Sequence, residues 1–177
     1  MAVPTKPELK RSQANDSWGF VPAVAVPSAP TLAELNATAG YNLSCSIFSD
    51  QEGPTVTDNR VTLPTLSCEV DEIEVAGTTT HAMPEFQVSF DPQAAADGVG
   101  KKAWTTMVDG MNGFLWRRQG VNAKTDLAAD QWVDVFPVTL GTKVPTKTSN
   151  GPEGVYSFRQ SVSLRSNPVY NVQIEAA

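Results

Sequence analysis

The feature that most constrains this chain is period-two alternation of apolar and polar residues, repeated along its length. Near the C-terminus Tyr156, Phe158, Val162 and Leu164 alternate with Ser157, Arg159, Ser161 and Ser163. Tyr170, Val172 and Ile174 then alternate with Asn171, Gln173 and Glu175. Side chains of a strand point to opposite faces, so this pattern makes strands with one buried face. The same reading places strands at Tyr41–Ile47, Phe86–Phe90, Phe114–Arg118 and Trp132–Leu140, with Pro137 pushing the last toward an edge or a bulge. Leu66–Val75 reads as a strand whose apolar face switches from Leu66, Cys68 and Val70 to Ile73 and Val75, which a bulge would repair. A turn at Gly77–His81 would join it to Phe86–Phe90 as an antiparallel hairpin. Asp50–Asn59 and Gly141–Gly154, rich in polar residues, Gly and Pro, read as loops.

One segment has helical spacing instead. Ala103, Trp104, Met107, Val108 and Met111 form an apolar stripe over a predicted helix Lys101–Asp109, closed by Gly110 and Gly113. Trp104, Met107 and Val108 are its expected packing residues. A shorter helical turn is expected at Thr31–Ala39, where Thr31 and Glu34 have capping-box spacing. Together these elements predict a mostly antiparallel β domain with one packed helix. Residues 1–30 read as a separate extended arm, punctuated by Pro4, Pro7, Pro22, Pro27 and Pro30, ahead of a β domain at 31–177. The arm carries Trp18, Phe20 and several valines, which calls for a surface to dock on.

Charge and composition narrow the function. The chain has 177 residues, 13 basic and 19 acidic, for a net charge of −6. Gripping nucleic acid in a basic groove requires the opposite balance. No apolar run reaches the roughly 18 residues of a membrane span, and no signal-peptide core opens the chain, so the protein is expected to fold in a reducing cytoplasm. Cys45 and Cys68 are then expected to be reduced, small buried hydrophobes. With His81 they show no ligand spacing, so no metal or other cofactor is expected. Asp97–Ala103 contains G-x-G-x-x-A, but hairpin-connected strands lack the βαβ context a dinucleotide site needs. No nucleophile elbow or paired-carboxylate geometry stands out, and no catalytic residues are assigned. The acidic run Glu69-Val-Asp71-Glu72-Ile-Glu74 reads as a solvated face or a surface that repels polyanions, and Arg117-Arg118 as ion-pair donors within the fold or across an interface.

The order of parts has a family likeness. A helix with AWTTMVDGMNG leads into a strand FLWRRQG. A loop and the strand QWVDVFPVTLG follow, and the chain ends on SFRQSVSLR, a proline turn and a short apolar strand. Over residues 85–177 this resembles the major tail tube proteins of long-tailed, non-contractile bacteriophages. The resemblance implies a β-sandwich or half-barrel flanked by one helix, six copies to a ring, and rings stacked into a tube through which the genome passes without specific binding. It implies a virion-tail location after assembly in the host cytoplasm. The implied partners are the chain itself and tape measure, tail-tip and tail terminator proteins, with no membrane. On that reading Glu69, Asp71, Glu72, Glu74, Glu85 and Asp91 are expected to face the lumen, and Trp18, Phe20, Arg117 and Arg118 to lie between subunits. The arm and the 141–154 loop would order on assembly. An immunoglobulin-like or lectin-like binding module on a virion or cell surface is the alternative that the same composition allows.

Overall fold

A computed structural model describes residues 9–65, 67–68 and 71–176. In chain order the elements are β1 (Asp16–Val21), α1 (Leu32–Leu35), β2 (Tyr41–Asn42), β3 (Thr55–Thr62), β4 (Glu74–Ala82), β5 (Phe86–Ser89), α2 (Val99–Thr106), β6 (Asn112–Gln119), β7 (Trp132–Lys147), β8 (Tyr156–Leu164) and β9 (Val169–Gln173). The main sheet is antiparallel in the order β2-β1-β6-β7-β8-β5, with β9 also paired to β7. A second, two-stranded sheet is the hairpin β3–β4.

β7 organises the main sheet. Its 16 residues run unbroken through the segment expected to be a loop after Gly141. One edge pairs with β6. The other edge pairs first with β9, as far as Val135, and then with β8, from Val138 onward. Pro137 falls between those two ladders, and its carbonyl accepts the Arg165 N–H at 2.9 Å. A missing N–H is tolerated there because neither ladder on that edge uses it. Between Leu140 and Lys143 the register to β8 shifts. This bulge flips the faces, so Leu140 and then Lys143 both point inward. At Gly141 a Cβ would overlap the Ser161 hydroxyl, which explains the glycine.

The sheet curls until its ends meet. Trp18 of β1 makes an edge-on contact with Phe86 of β5 at 5.1 Å, although these strands lie far apart in the strand order. The segment after β2 closes the remaining gap, bridging Ile47 to Val88 and taking the Ser89 N–H on the Ser46 carbonyl at 2.7 Å. Inside this half-barrel lie Trp18, Phe20, Leu43, Phe86, Leu115, Phe136, Val138, Leu140 and Phe158. A second apolar layer covers the outer face of β1, β6 and β7, where Val21, Leu35, Trp116, Leu127, Val133, Val135 and Ile174 meet. The fold class is therefore mainly β, a curled antiparallel half-barrel with two helices.

Several expectations are corrected. The proposed arm 1–30 contains β1, whose neighbour in the ladder is β6 across the full strand. Its Trp18 and Phe20 are completely buried in their own subunit. The prolines confine the irregular backbone to the flanks of that strand, leaving Asp16–Val21 free to pair. The strand expected at Tyr41–Ile47 stops at Asn42, because the Asn42 side chain accepts the Ser44 N–H (3.0 Å) and turns the chain. Cys45 is therefore exposed on a turn, and Cys68 is exposed as well; both are free thiols rather than buried. Gly77–His81 is not a turn but the middle of β4, which pairs with the supposed loop at Thr55–Thr62. The capping box does form at α1: Thr31 and Glu34 each take the other's backbone N–H.

Candidate assembly surface

The hairpin β3–β4 projects from the body with nearly every residue exposed. Its register pairs Val61 with Val75, and the Leu63 N–H reaches the Ile73 carbonyl at 2.9 Å. Alternation then puts Val61, Leu63, Ile73 and Val75 on one face, exposed by 52%, 44%, 57% and 37%. The other face carries Arg60, Thr62, Glu74, Thr78 and Thr80. Arg60 and Glu74 meet there at 3.5 Å, but both are well exposed and the pair contributes little. A bulge between Asp58 and Arg60 resets the faces on β3. A two-stranded ribbon of this kind is marginal in water by itself, and this one is amphipathic with nothing covering its apolar side.

The hairpin is rooted on charge. Its entry segment Glu52–Thr55 crosses one mouth of the half-barrel and lines a groove with Arg117, Asp134 and Tyr170. Arg117 is held by Asp16 through a bidentate pair, with Nε at 3.0 Å from each carboxylate oxygen, and its guanidinium lies 5.1 Å over the Trp18 ring. A side chain at Gly53 would crowd Arg117, since a Cβ there would lie 3.1 Å from Nη1. Asp134 is the cross-strand partner of Arg117. Burial raises its carboxyl above the ordinary value, opposed by the Asn171 N–H donated at 2.8 Å and by the Arg117 charge. The Tyr170 hydroxyl is also raised, first by burial and then by the Asp134 charge.

Arg118 points to the opposite face and is 1% exposed. Its guanidinium donates to the carbonyls of Asn122, Thr125 and Asp126, to the Gln131 side chain and to the Ser17 hydroxyl. It thereby ties the loop between β6 and β7 onto β1. Both arginines assigned to an inter-subunit role are thus engaged within their own chain, as are Trp18 and Phe20.

The acidic residues do not share one wall. Glu69 lies outside the described residues. Asp71, Glu72 and Glu74 are exposed near the hairpin end, whereas Glu85 and Asp91 flank β5 in the other sheet. The separation follows from the pairing: β4 takes β3 and β5 takes β8, so the expected hairpin between them does not form.

Of the helix residues, Met107 is fully buried. Trp104 is half-buried, stacked on Phe90 at 4.8 Å and edge-on to Phe158 at 5.3 Å, with the Lys143 ammonium 4.7 Å over its ring. Val108 is 51% exposed, because α2 ends at Thr106 and the helical phase is lost before it. The hairpin itself is the feature that sequence reading missed. Its signal was the β-branched run Thr55-Val56-Thr57 and Val61-Thr62, masked by Asp58, Asn59 and Arg60.

Among the described residues no helix is long and apolar enough to cross a membrane, and no three His, Cys, Asp or Glu side chains group as metal ligands. Comparison with curated proteins finds no match. Among solved structures, a chain of the "Cryo-EM structure of the anti-feeding prophage (AFP) baseplate, 6-fold symmetrised" is similar, with TM-score 0.51 and 8% identity, covering 96% of this chain and 98% of that one. At that identity the likeness speaks for the fold. A family model described as "Phage tail tube protein" matches residues 3–177, and the chain, with its curled sheet and projecting hairpin, belongs to that family.

Proposed function

We propose that this chain is the repeating subunit of a phage tail tube. Copies associate into hexameric rings, and rings stack into a tube whose channel passes the genome. The role is structural, with no catalysis and no cofactor. The observation that carries the reading is the β3–β4 hairpin, an amphipathic ribbon whose apolar face finds no cover within its own subunit. Burying apolar surface is what stabilises such a ribbon, and another copy of the chain supplies that surface. Family membership supports the tail assignment, and the similar baseplate chain comes from a 6-fold symmetrised assembly. The net charge of −6 suits a conduit that repels phosphate rather than holding it. Acidic side chains Asp71, Glu72 and Glu74, with Glu85 and Asp91, are proposed contributors to that lumen. Tape measure, tail-tip and terminator proteins are the proposed partners at the tube's core and ends. Negative-stain electron microscopy of the purified protein at high concentration tests the reading. Rings or tubes of sixfold symmetry are the expected result, and a strictly monomeric protein, alone and with tail-tip components, would contradict it.

A further inference from the structure

Two surfaces stand out once the subunit's own packing is complete. The first is the apolar face of the hairpin, whose root lies at the Asp134 end of β7. The second is a cleft lined by Ser89, Phe90, Asp91, Gly100, Val155 and Tyr156, in which Val155 is 52% and Tyr156 54% exposed. Tyr156 pairs with Lys147, so the cleft lies at the opposite end of β7, roughly 40 Å of strand away.

We propose that the hairpin of one copy docks its Val61–Leu63–Ile73–Val75 face into the Phe90–Val155–Tyr156 cleft of a second copy, head to tail. This rests on the stacked-subunit reading above and assigns its two complementary surfaces. Symmetry selects a second surface over a second hairpin. Two hairpins packed face to face form an isologous pair that closes and stops, whereas an open-ended stack needs a heterologous contact between different patches. Charge agrees. Beyond its bulge the described hairpin carries Asp71, Glu72 and Glu74 against Arg60 alone. At the cleft the Lys147 ammonium lies 5.2 Å over the Tyr156 ring, while the Asp91 carboxylate is turned onto the Gln93 N–H at 2.9 Å. Area explains why the contact does not join subunits in pairs. A face of an eight-residue ribbon is about 27 Å by about 10 Å, or about 270 Å². Stable pairs bury roughly 800 Å² per partner. One docked hairpin is therefore weak, and it holds only when several in a ring engage together.

Cross-linking tests the assignment. Cys68 lies exposed on the turn beyond β3 and becomes the sole thiol after Cys45→Ser. Adding V155C places a second thiol on the cleft; a control variant instead carries V26C, at a residue 51% exposed on the segment after β1. Assembled material is treated with a short bismaleimide and resolved under denaturing conditions. The C45S/V155C protein is expected to give a ladder of covalent multimers, and C45S alone or C45S/V26C none. Val155→Asp is expected to abolish stacking at an unchanged melting temperature. Tubes that form normally with V155D, or that cross-link through V26C and not V155C, overturn the docking assignment while leaving the tube reading intact. Wild-type protein that never assembles overturns the tube reading, and this one with it.

Discussion

β4 and β8 are both nine-residue strands with alternating side chains, yet they have opposite fates. In β8, Phe158 and Gln160 are fully buried and Val162 nearly so, because β7 pairs on one side, β5 on the other, and α2 with its Trp104 covers the inner face. In β4 the corresponding apolar positions are Ile73, Val75 and His81, and only β3 is alongside. Period two gives each strand an apolar face, but a covering layer decides whether that face stabilises the fold or awaits assembly. The half-barrel is complete as a monomer; the hairpin is complete only as part of something larger.

The sharpest way to break this contrast is to truncate one apolar side chain in each strand. Phe158→Ala, in the packed aromatic group with Phe90 and Trp104, is expected to cost about 3–5 kcal/mol by denaturant unfolding. Val75→Ala is expected to change subunit stability by about 0.5 kcal/mol or less while weakening assembly. Equal losses in the two variants would mean that the hairpin packs on its own subunit.

The root of the hairpin comes next in size. Removing Asp16 as Asp16→Ala leaves Arg117 without its bidentate partner and is expected to cost about 1.5–3 kcal/mol, a charged hydrogen-bond pair being lost from a mostly buried position. Faster proteolysis within residues 50–55 of this variant would sharpen the contrast, since it would show that the body sets the arm's attachment.

Strand β8 was legible in the sequence because Phe158 and Val162 mark its buried face without interruption. The helical stripe was legible as far as Met107 and failed at Val108, where backbone departure from the helix overrides spacing. The body's other errors share one cause. Gly141 and Pro145 look like loop punctuation, but a bulge absorbs the first and the second sits in the ladder opposite Phe158. The prolines around Trp18 and Phe20 suggested an arm, although six residues between them suffice for a strand. The hairpin was hidden for the opposite reason. With no buried face to fill, its sequence tolerates Asp58, Asn59 and Arg60, and so it carries a weak apolar signal. Of the candidate surface, the acidic run was visible, but not that pairing would separate Asp71–Glu74 from Glu85 and Asp91.

The smallest expected effects are in pH, and they have opposite signs at two carboxylates of the body. Burial raises Asp134, so the native state holds that proton more tightly than the unfolded chain. Its contribution to stability falls as pH rises from the ordinary aspartate range through the raised native value, and D134N is expected to remove that slope. Glu34 is lowered by the N–H groups of Thr31 and Ala25. Its contribution is present above the ordinary glutamate value and lost as pH falls through the lowered native one, and E34Q is expected to flatten stability there. Urea midpoints across the acid range check both. A hairpin carboxylate variant such as E72Q is expected to leave the subunit's profile unchanged.

The most direct test of the central claim is amide hydrogen exchange on the free subunit and on assembled protein. In the free subunit, β7 and β8 are expected to be strongly protected and residues 55–62 and 74–82 to exchange rapidly, as an uncovered ribbon would. In assembled protein, the hairpin's protection is expected to rise toward that of β8. A hairpin already as protected as β8 in the free subunit, or one that gains no protection on assembly, would contradict the account.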